Sequence, residues 1–398
     1  MTTSQKLFYK GYKYRIYPNT EQIELFEKTF GCCRYVWNKA LADSKIEYEY
    51  YLAHKDTSIN VLNKPSLTGF SFCNKLMIYK NDLETSWLNE VSAVALQQSM
   101  LNLGKAFSRF FKNKLGYPQF KLKNNRQSFT LMTQGIIFKE DKLFIAKSKD
   151  PLRVIWNRKL PSNPTSATIS KTSNGKYYIS FICEYNPVQT TGVKTVGIDL
   201  GIKDFLVTSD GLKIPNPKHT KQYEKKLKRI QQSLSRKTKG SKNRLKAKFK
   251  VSLCHENISN CRKDFLHKLS RVLVNENQVI GIEKLKVKNM IKNRKLSKSI
   301  QDVAWGRFCE MLNYKTIESQ HCKLVYMDCW YPSSHICNID DYKLDYKLKL
   351  SDRTWVCPQC GATHDRDINA AKNIHKQAIK AVANLNVPST ARIILAEA

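Results

Sequence analysis

Three acidic residues occupy positions where a folding chain ordinarily places an apolar or neutral side chain. Asp199 closes the apolar run TVGID, Glu283 closes QVIGIE, and Asp367 lies in HDRDINAAKNI at the start of a helical pattern. A carboxylate at the end of a buried strand is costly unless it is paired or binds a cation. Three that converge would hold one or two divalent metals, which together clamp the attacking water and the leaving oxygen of a phosphodiester. Mg2+ suits this inventory, because it is held by a few carboxylates plus water and phosphate oxygens. Any one of the three alone reads more simply as a turn former or helix cap.

A second set of candidate ligands lies further along. Cys357 and Cys360 form a tight CxxC after RTWV, and Cys337 precedes them in PSSHICNID. A zinc ribbon would carry a second CxxC at Cys337. This chain has Asp340 in that place. A carboxylate ligates Zn2+, so a Cys₃Asp set is chemically allowed. Cys329, His335 and His364 are other candidates for the fourth ligand, and a metal-free ribbon packed around Trp355 is the plainer alternative. The other cysteines (Cys32, Cys33, Cys73, Cys183, Cys254, Cys261, Cys309 and Cys322) fall in periodic segments and read as buried apolar residues.

Charge narrows the substrate. Sixty-eight Lys and Arg against 33 Asp and Glu leave a formal charge of +35 on 398 residues. Such an excess opposes compaction unless a polyanion neutralises it. Nucleic acid does so, and release of its condensed counterions drives the binding. No run of about 18 apolar residues suggests a membrane span. The opening MTTSQKLFYKGYKYRIYP lacks the apolar stretch of a secretion signal, so the protein reads as cytoplasmic and nucleoid-associated. Without a signal peptide, twelve cysteines read as thiols or metal ligands rather than a disulfide scaffold.

The elements that must position these residues can be read from periodicity. KGYKYRIY alternates as a strand, Pro18 stops it, and Thr20 caps a helix running through EQIELFEKTFGCCRYVWNKALADSKIEYEYYL. A second amphipathic stretch covers about 86–114. Short segments within 117–188 (KLFIA, LRVIW, ATIS, YYISFICEY) read as antiparallel strands that the first strand would join, with the helices inserted between. KTVGIDLG is a buried strand with DFLVTSDG as its hairpin partner. Residues 218–250 carry 14 Lys and Arg against one acid, Glu224, and read as a helical hairpin arm. A solvated surface helix is the plainer alternative, but the single-signed excess favours a phosphate-tracking surface. DFLHKLSRVLVNE is an amphipathic helix feeding QVIGIE.

VGIDLGIKDFLVTSDG, GIEKLKVKNM, YPSSHIC and WVCPQCGATHDRDINAAKNI, in this order, resemble the OrfB/TnpB family of transposon-encoded RNA-guided nucleases, relatives of the compact type V CRISPR effectors. KYRIYPNTEQIELFEKTFGCCRYVWNKAL and ETSWLNEVSAVALQQSMLNL resemble its N-terminal half, so the likeness covers nearly the whole chain. The resemblance implies an α+β multidomain protein. An oligonucleotide-binding-like β-barrel would span 1–25 and 117–190, with a helical recognition domain inserted at 26–116. A RuvC nuclease domain of the RNase H fold would span 191–328 and 362–398, with its basic arm at about 218–276. A zinc-ribbon-like insertion would occupy 329–361.

Carried over residue by residue, the family's catalytic acids fall on Asp199, Glu283 and Asp367. Asp199 and Asp367 would hold Mg2+, and Glu283 would complete the site. The ribbon ligands fall on Cys337, Cys357 and Cys360, with Asp340 departing from the pattern. The residues that touch a short motif beside the target fall on Gln97 and Thr130. On the arm, Lys225, Lys226, Lys228 and Arg229 would contact RNA or heteroduplex backbone. The implied partners are a guide RNA and target double-stranded DNA, with one protein per RNA, the guide reading the target by base pairing. The implied activity is DNA cleavage next to that motif. Two alternatives are an RNA-guided repressor that binds without cutting and an accessory transposase protein. No His-hydrophobe-His with a partner tyrosine is evident for direct strand joining.

Overall fold

The computed structural model describes residues 7–55, 63–187, 190–346, 348–349 and 351–385. The outer parts of the expected segments, at 1–6 and 386–398, and the internal positions 56–62, 188–189, 347 and 350 lie outside the described residues. The chain divides into two compact units, 1–186 and 187–398.

In the first unit, β1 (Phe8–Tyr17) leads into α1 (Thr20–His54), α2 (Gly69–Asn81) and α3 (Ala93–Asn113). The strands β2 (Gln127–Met132), β3 (Ile136–Lys139), β4 (Lys142–Ile145), β5 (Arg153–Ile155), β6 (Ser166–Lys171) and β7 (Tyr177–Tyr185) follow. The sheet runs β2-β6-β7-β1-β5, all antiparallel, with β3 and β4 as a separate hairpin. The first strand therefore sits inside a sheet built from residues more than a hundred positions later. Its buried face (Tyr14, Ile16) shares one core with Phe26, Val36 and Leu41 of α1, Phe72 of α2, Leu96 and Phe107 of α3, and Phe181 of β7.

Two local expectations need correction. The N-cap of α1 is Asn19, not Thr20. The Asn19 side chain accepts from the Gln22 N–H at 2.8 Å, and the Gln22 side chain accepts from the Asn19 N–H at 3.1 Å, a reciprocal box. Thr20 is already helical. The stretch from residue 86 is not one helix: a 3-10 segment, Leu83–Glu90, ends at an extended Val91, and α3 starts afresh behind Ser92.

In the second unit, β8 (Lys194–Leu200), β9 (Asp204–Thr208) and β10 (Lys213–Pro215) form an antiparallel meander. The helices α4 (His219–Ser235) and α5 (Lys242–Glu276) come next, then β11 (Asn277–Glu283). The short α6 (Val287–Met290) and α7 (Ser297–Val303) precede α8 (Trp305–Ser319) and β12 (Lys323–Met327). The hairpin β13 (Thr354–Val356) and β14 (Thr363–Asp365) leads into α9 (Arg366–Leu385). The sheet order is β10-β9-β8-β11-β12, with β11 parallel to both β8 and β12. Parallel neighbours require helical crossovers, which the intervening helices supply.

Both faces of this sheet are covered, which is why its central strands read as apolar runs. Ile198, Ile280 and Ile282 pack with Leu266 of α5 and Phe308 of α8 on one face. Val279 and Met327 pack with Ile374 and Ala378 of α9 on the other. The expected helix at 264–276 is the last third of α5, one 35-residue helix that also forms half of the basic arm. Among the described residues no helix is long and apolar enough to cross a membrane.

Candidate active site and metal centre

The register of the parallel strands sets two of the three acids. Ile282 pairs with Ile198, so Asp199 and Glu283, each one residue further on, leave adjacent strand ends on the same face. That face belongs to α9, and it is cut to fit. Gly197 and Gly281 lie two residues before the acids. A Cβ on Gly197 would stand 2.1 Å from the Ala371 carbonyl oxygen, and one on Gly281 would stand 2.7 Å from the Ala378 Cβ. With Ala370, Ala371 and Ala378 buried on its own side, α9 lies almost against the strand backbones. Its first turn then delivers Asp367.

The electrostatics follow from this meeting. The Asp199 carboxyl is pushed up to about 8, first by burial and then by the negative charges of Glu283 and Asp367, against the pull of Arg366. Two further carboxylates close enough to raise the proton affinity of Asp199 complete a donor set whose surplus charge a divalent cation offsets.

Neighbouring groups hold two of the acids. The Ser333 hydroxyl donates to Glu283 Oε1 at 2.6 Å. Arg353 donates to Asp367 Oδ2 at 3.3 Å. Asp365 caps α9 by accepting from the backbone N–H of Asp367 and Ile368, both at 3.1 Å, and is itself bonded to Lys213 at 2.6 Å. Burial works the other way, yet the Lys213 bond keeps the Asp365 carboxyl below the usual range. None of Ser333, Arg353 and Asp365 is among the sequence candidates, although Ser333 lies in the YPSSHIC motif.

The ribbon ligands come from two short segments and meet. Cys337 Sγ, an Asp340 carboxylate oxygen, Cys357 Sγ and Cys360 Sγ all lie within 4.8 Å of one another. Cys337 and Cys360 sulfurs are 3.7 Å apart, and Cys357 Sγ is 3.4 Å from Asp340 Oδ2. Tetrahedral Zn2+ with Zn–S bonds of about 2.3 Å needs sulfurs about 3.8 Å apart, so the donors fit that ion. Hydrogen bonds, that from the Cys337 thiol foremost, hold the Asp340 carboxyl down at about 2. Of the other fourth-ligand candidates, His364 Nε2 lies 3.1 Å from Cys337 Sγ, His335 bonds Ser334, and Cys329 is exposed. Leu344, Leu348 and Trp355 pack beside Cys337 and Cys357 as a small separate core.

The nucleic-acid candidates are placed as follows. Gln97 is exposed on α3. Thr130, on β2, is half-buried with its hydroxyl 2.9 Å from that of Thr168. Lys225, Lys226, Lys228 and Arg229 are all exposed on α4, a helix with no buried residue. Lys226 and Arg229 line a cleft of about 750 Å³ between α4 and α5, opposite Lys246 and Lys250. The arm is pinned at its base by Asp302, which accepts from the Thr220 N–H and hydroxyl and from Arg262.

Residues 179–294 match a family model described as "Probable transposase", 8–51 match one described as a helix-turn-helix domain, and 305–374 match "Cas12f1-like, TNB domain". A protein of Streptomyces pristinaespiralis named "Putative RNA-guided DNA endonuclease" is 40% identical over 92% of this chain and 88% of its own length. InsQ of Escherichia coli (strain K12), which bears the same designation, is 29% identical over 92% of this chain and 91% of its own. A cryo-EM structure of a Cas12f1–sgRNA–target DNA complex matches with a TM-score of 0.56 at 13% identity, covering 93% of this chain and 99% of that one. That likeness is one of fold, mixed α/β with a ribbon-like module. On these grounds the chain belongs to the OrfB/TnpB family.

Proposed function

We propose that this protein is an RNA-guided DNA endonuclease of a transposable element. In this reading it cleaves target double-stranded DNA beside a short adjacent motif by divalent-metal-dependent phosphodiester hydrolysis. The observation that carries the reading is the arrival of Asp199, Glu283 and Asp367 at one corner of the second unit's sheet. These carboxylates would hold Mg2+, whose charge lowers the pKa of attacking water and stabilises the leaving oxygen. Asp199 and Asp367 supply ligand oxygens from a strand end and a helix start. Glu283 offers one carboxylate oxygen while Ser333 occupies the other. Arg353, half exposed beside Asp367, places a positive charge where a phosphate would approach.

The remaining parts take roles by the same logic. The first unit's sheet with its β3–β4 hairpin corresponds to the oligonucleotide-binding-like barrel, and α1–α3 correspond to the inserted recognition helices. The second unit is the RuvC-like nuclease with the ribbon at 329–361. Gln97 and Thr130 would read the adjacent motif, and the basic arm would follow the backbone of RNA or heteroduplex through counterion release. One protein per guide RNA, in a nucleoid-associated setting, completes the proposal. A complete set of acids sets this reading above that of a repressor that does not cut.

Sequencing the RNA that copurifies with the protein tests the guided part. A discrete transcript ending in variable sequence is the expected result, and random cellular RNA would overturn it. The ribbon yields a separate expectation. Purified protein should carry about one Zn2+ per chain by elemental analysis, and Cys360→Ser should lose it. A wild-type content below about 0.2 per chain would favour a metal-free ribbon instead.

A further inference from the structure

We propose that Ser333 is a positioning residue for Glu283, fixing the rotamer in which that carboxylate faces Asp199 and Asp367. The inference rests on reading these three acids as a metal site. A glutamate side chain has three torsions, and a bond at its carboxylate selects among them. Here the Ser333 hydroxyl donates to Oε1 at 2.6 Å, a short charge-assisted bond that leaves Oε2 free.

The donor is itself held on several sides. Ser333 is buried, and its N–H bonds the Tyr331 carbonyl at 2.9 Å. Its own carbonyl accepts from the buried Asn373 amide at 2.8 Å, and the same amide donates to the Ile336 carbonyl at 2.6 Å. Four residues earlier on α9, Asn369 donates to that carbonyl at 2.7 Å and accepts from the Asn338 N–H at 3.0 Å. At the far end of this segment, Ser333–Cys337, Cys337 enters the ribbon ligand set. The helix that carries Asp367 thus also holds the loop that holds Glu283. Polar groups just outside the ligand shell commonly set ligand orientation and metal affinity in this way.

The test is a titration of the full chain with Mn2+, followed by loss of the EPR signal of the free ion, which reads metal binding without cleavage. Ser333→Ala should weaken Mn2+ binding about 10–100-fold, and Ser333→Thr, which keeps the hydroxyl, should stay within about threefold of wild type. Ser333→Cys, close in volume but a weak donor, should fall with the alanine variant. Thermal melting and zinc content confirm that each variant is folded. Asp199→Ala and Glu283→Gln are run alongside. If Glu283→Gln weakens binding while Ser333→Ala and Ser333→Cys match wild type, the role of Ser333 is overturned and the metal site stands. If the acid variants also bind Mn2+ like wild type, the metal site itself falls, and this proposal with it.

Discussion

Replacing Asp199 with alanine is expected to lower cleavage of target DNA by the guide-loaded protein on the order of 10³-fold or more, while leaving target binding intact. The two readouts separate because Asp199 faces the other acids and α9 from inside the second unit, whereas a dense exposed positive surface lies on the arm. Removing one carboxylate also relieves the mutual repulsion that raises its proton affinity, so the variant should fold at least as stably as the parent. Plasmid cleavage and gel-shift measurements on the same preparations decide the matter. Equal cutting by the variant would remove Asp199 from the site.

The second large effect is structural. Gly197→Ala should destabilise the second unit by roughly 3 kcal/mol, because the added methyl would lie 2.1 Å from the Ala371 carbonyl oxygen and 2.4 Å from the His375 nitrogen. Neither neighbour is the end of a flexible side chain, so α9 must move as a body and carry Asp367 away from Asp199. Melting should fall by about 6–12 °C for a unit of this size, and cleavage should fall with it. Gly306→Ala on α8 is the control, since a Cβ there meets nothing within 4 Å and alanine is the better helix former. An unchanged melting temperature for Gly197→Ala would mean that the helix does not need its close approach.

Where the physics is local, the sequence was a good guide. TVGID and QVIGIE read as buried strands because a parallel strand covered on both faces must be apolar throughout, and an acid at its end then stands out. The basic arm was legible because no core competes with solvent for α4. Adjacent cap formers blurred the start of α1, where Thr20 and Asn19 are chemically close. The polar stretch joining the arm to residues 264–276 hid the continuity of α5. Contacts that span the chain left no local trace. Ser333 reaches Glu283 across 50 positions, and nothing in PSSHIC marks which serine does so. Asp365 and Asp367 are two positions apart, yet one caps a helix and the other faces the candidate site, a division that helix geometry makes and composition does not.

The placement of Asp367 on the last described helix bears on biosynthesis. Asp199 and Glu283 leave the ribosome well before α9 is made, and until α9 docks against Gly197 and Gly281 the pair has no third acid. A polypeptide released early, by a nonsense codon or a broken message, would keep its basic arm and two of its acids. On the proposed reading of the three acids it would cling to nucleic acid without severing it, so that cutting would wait until α9 has been made and has docked.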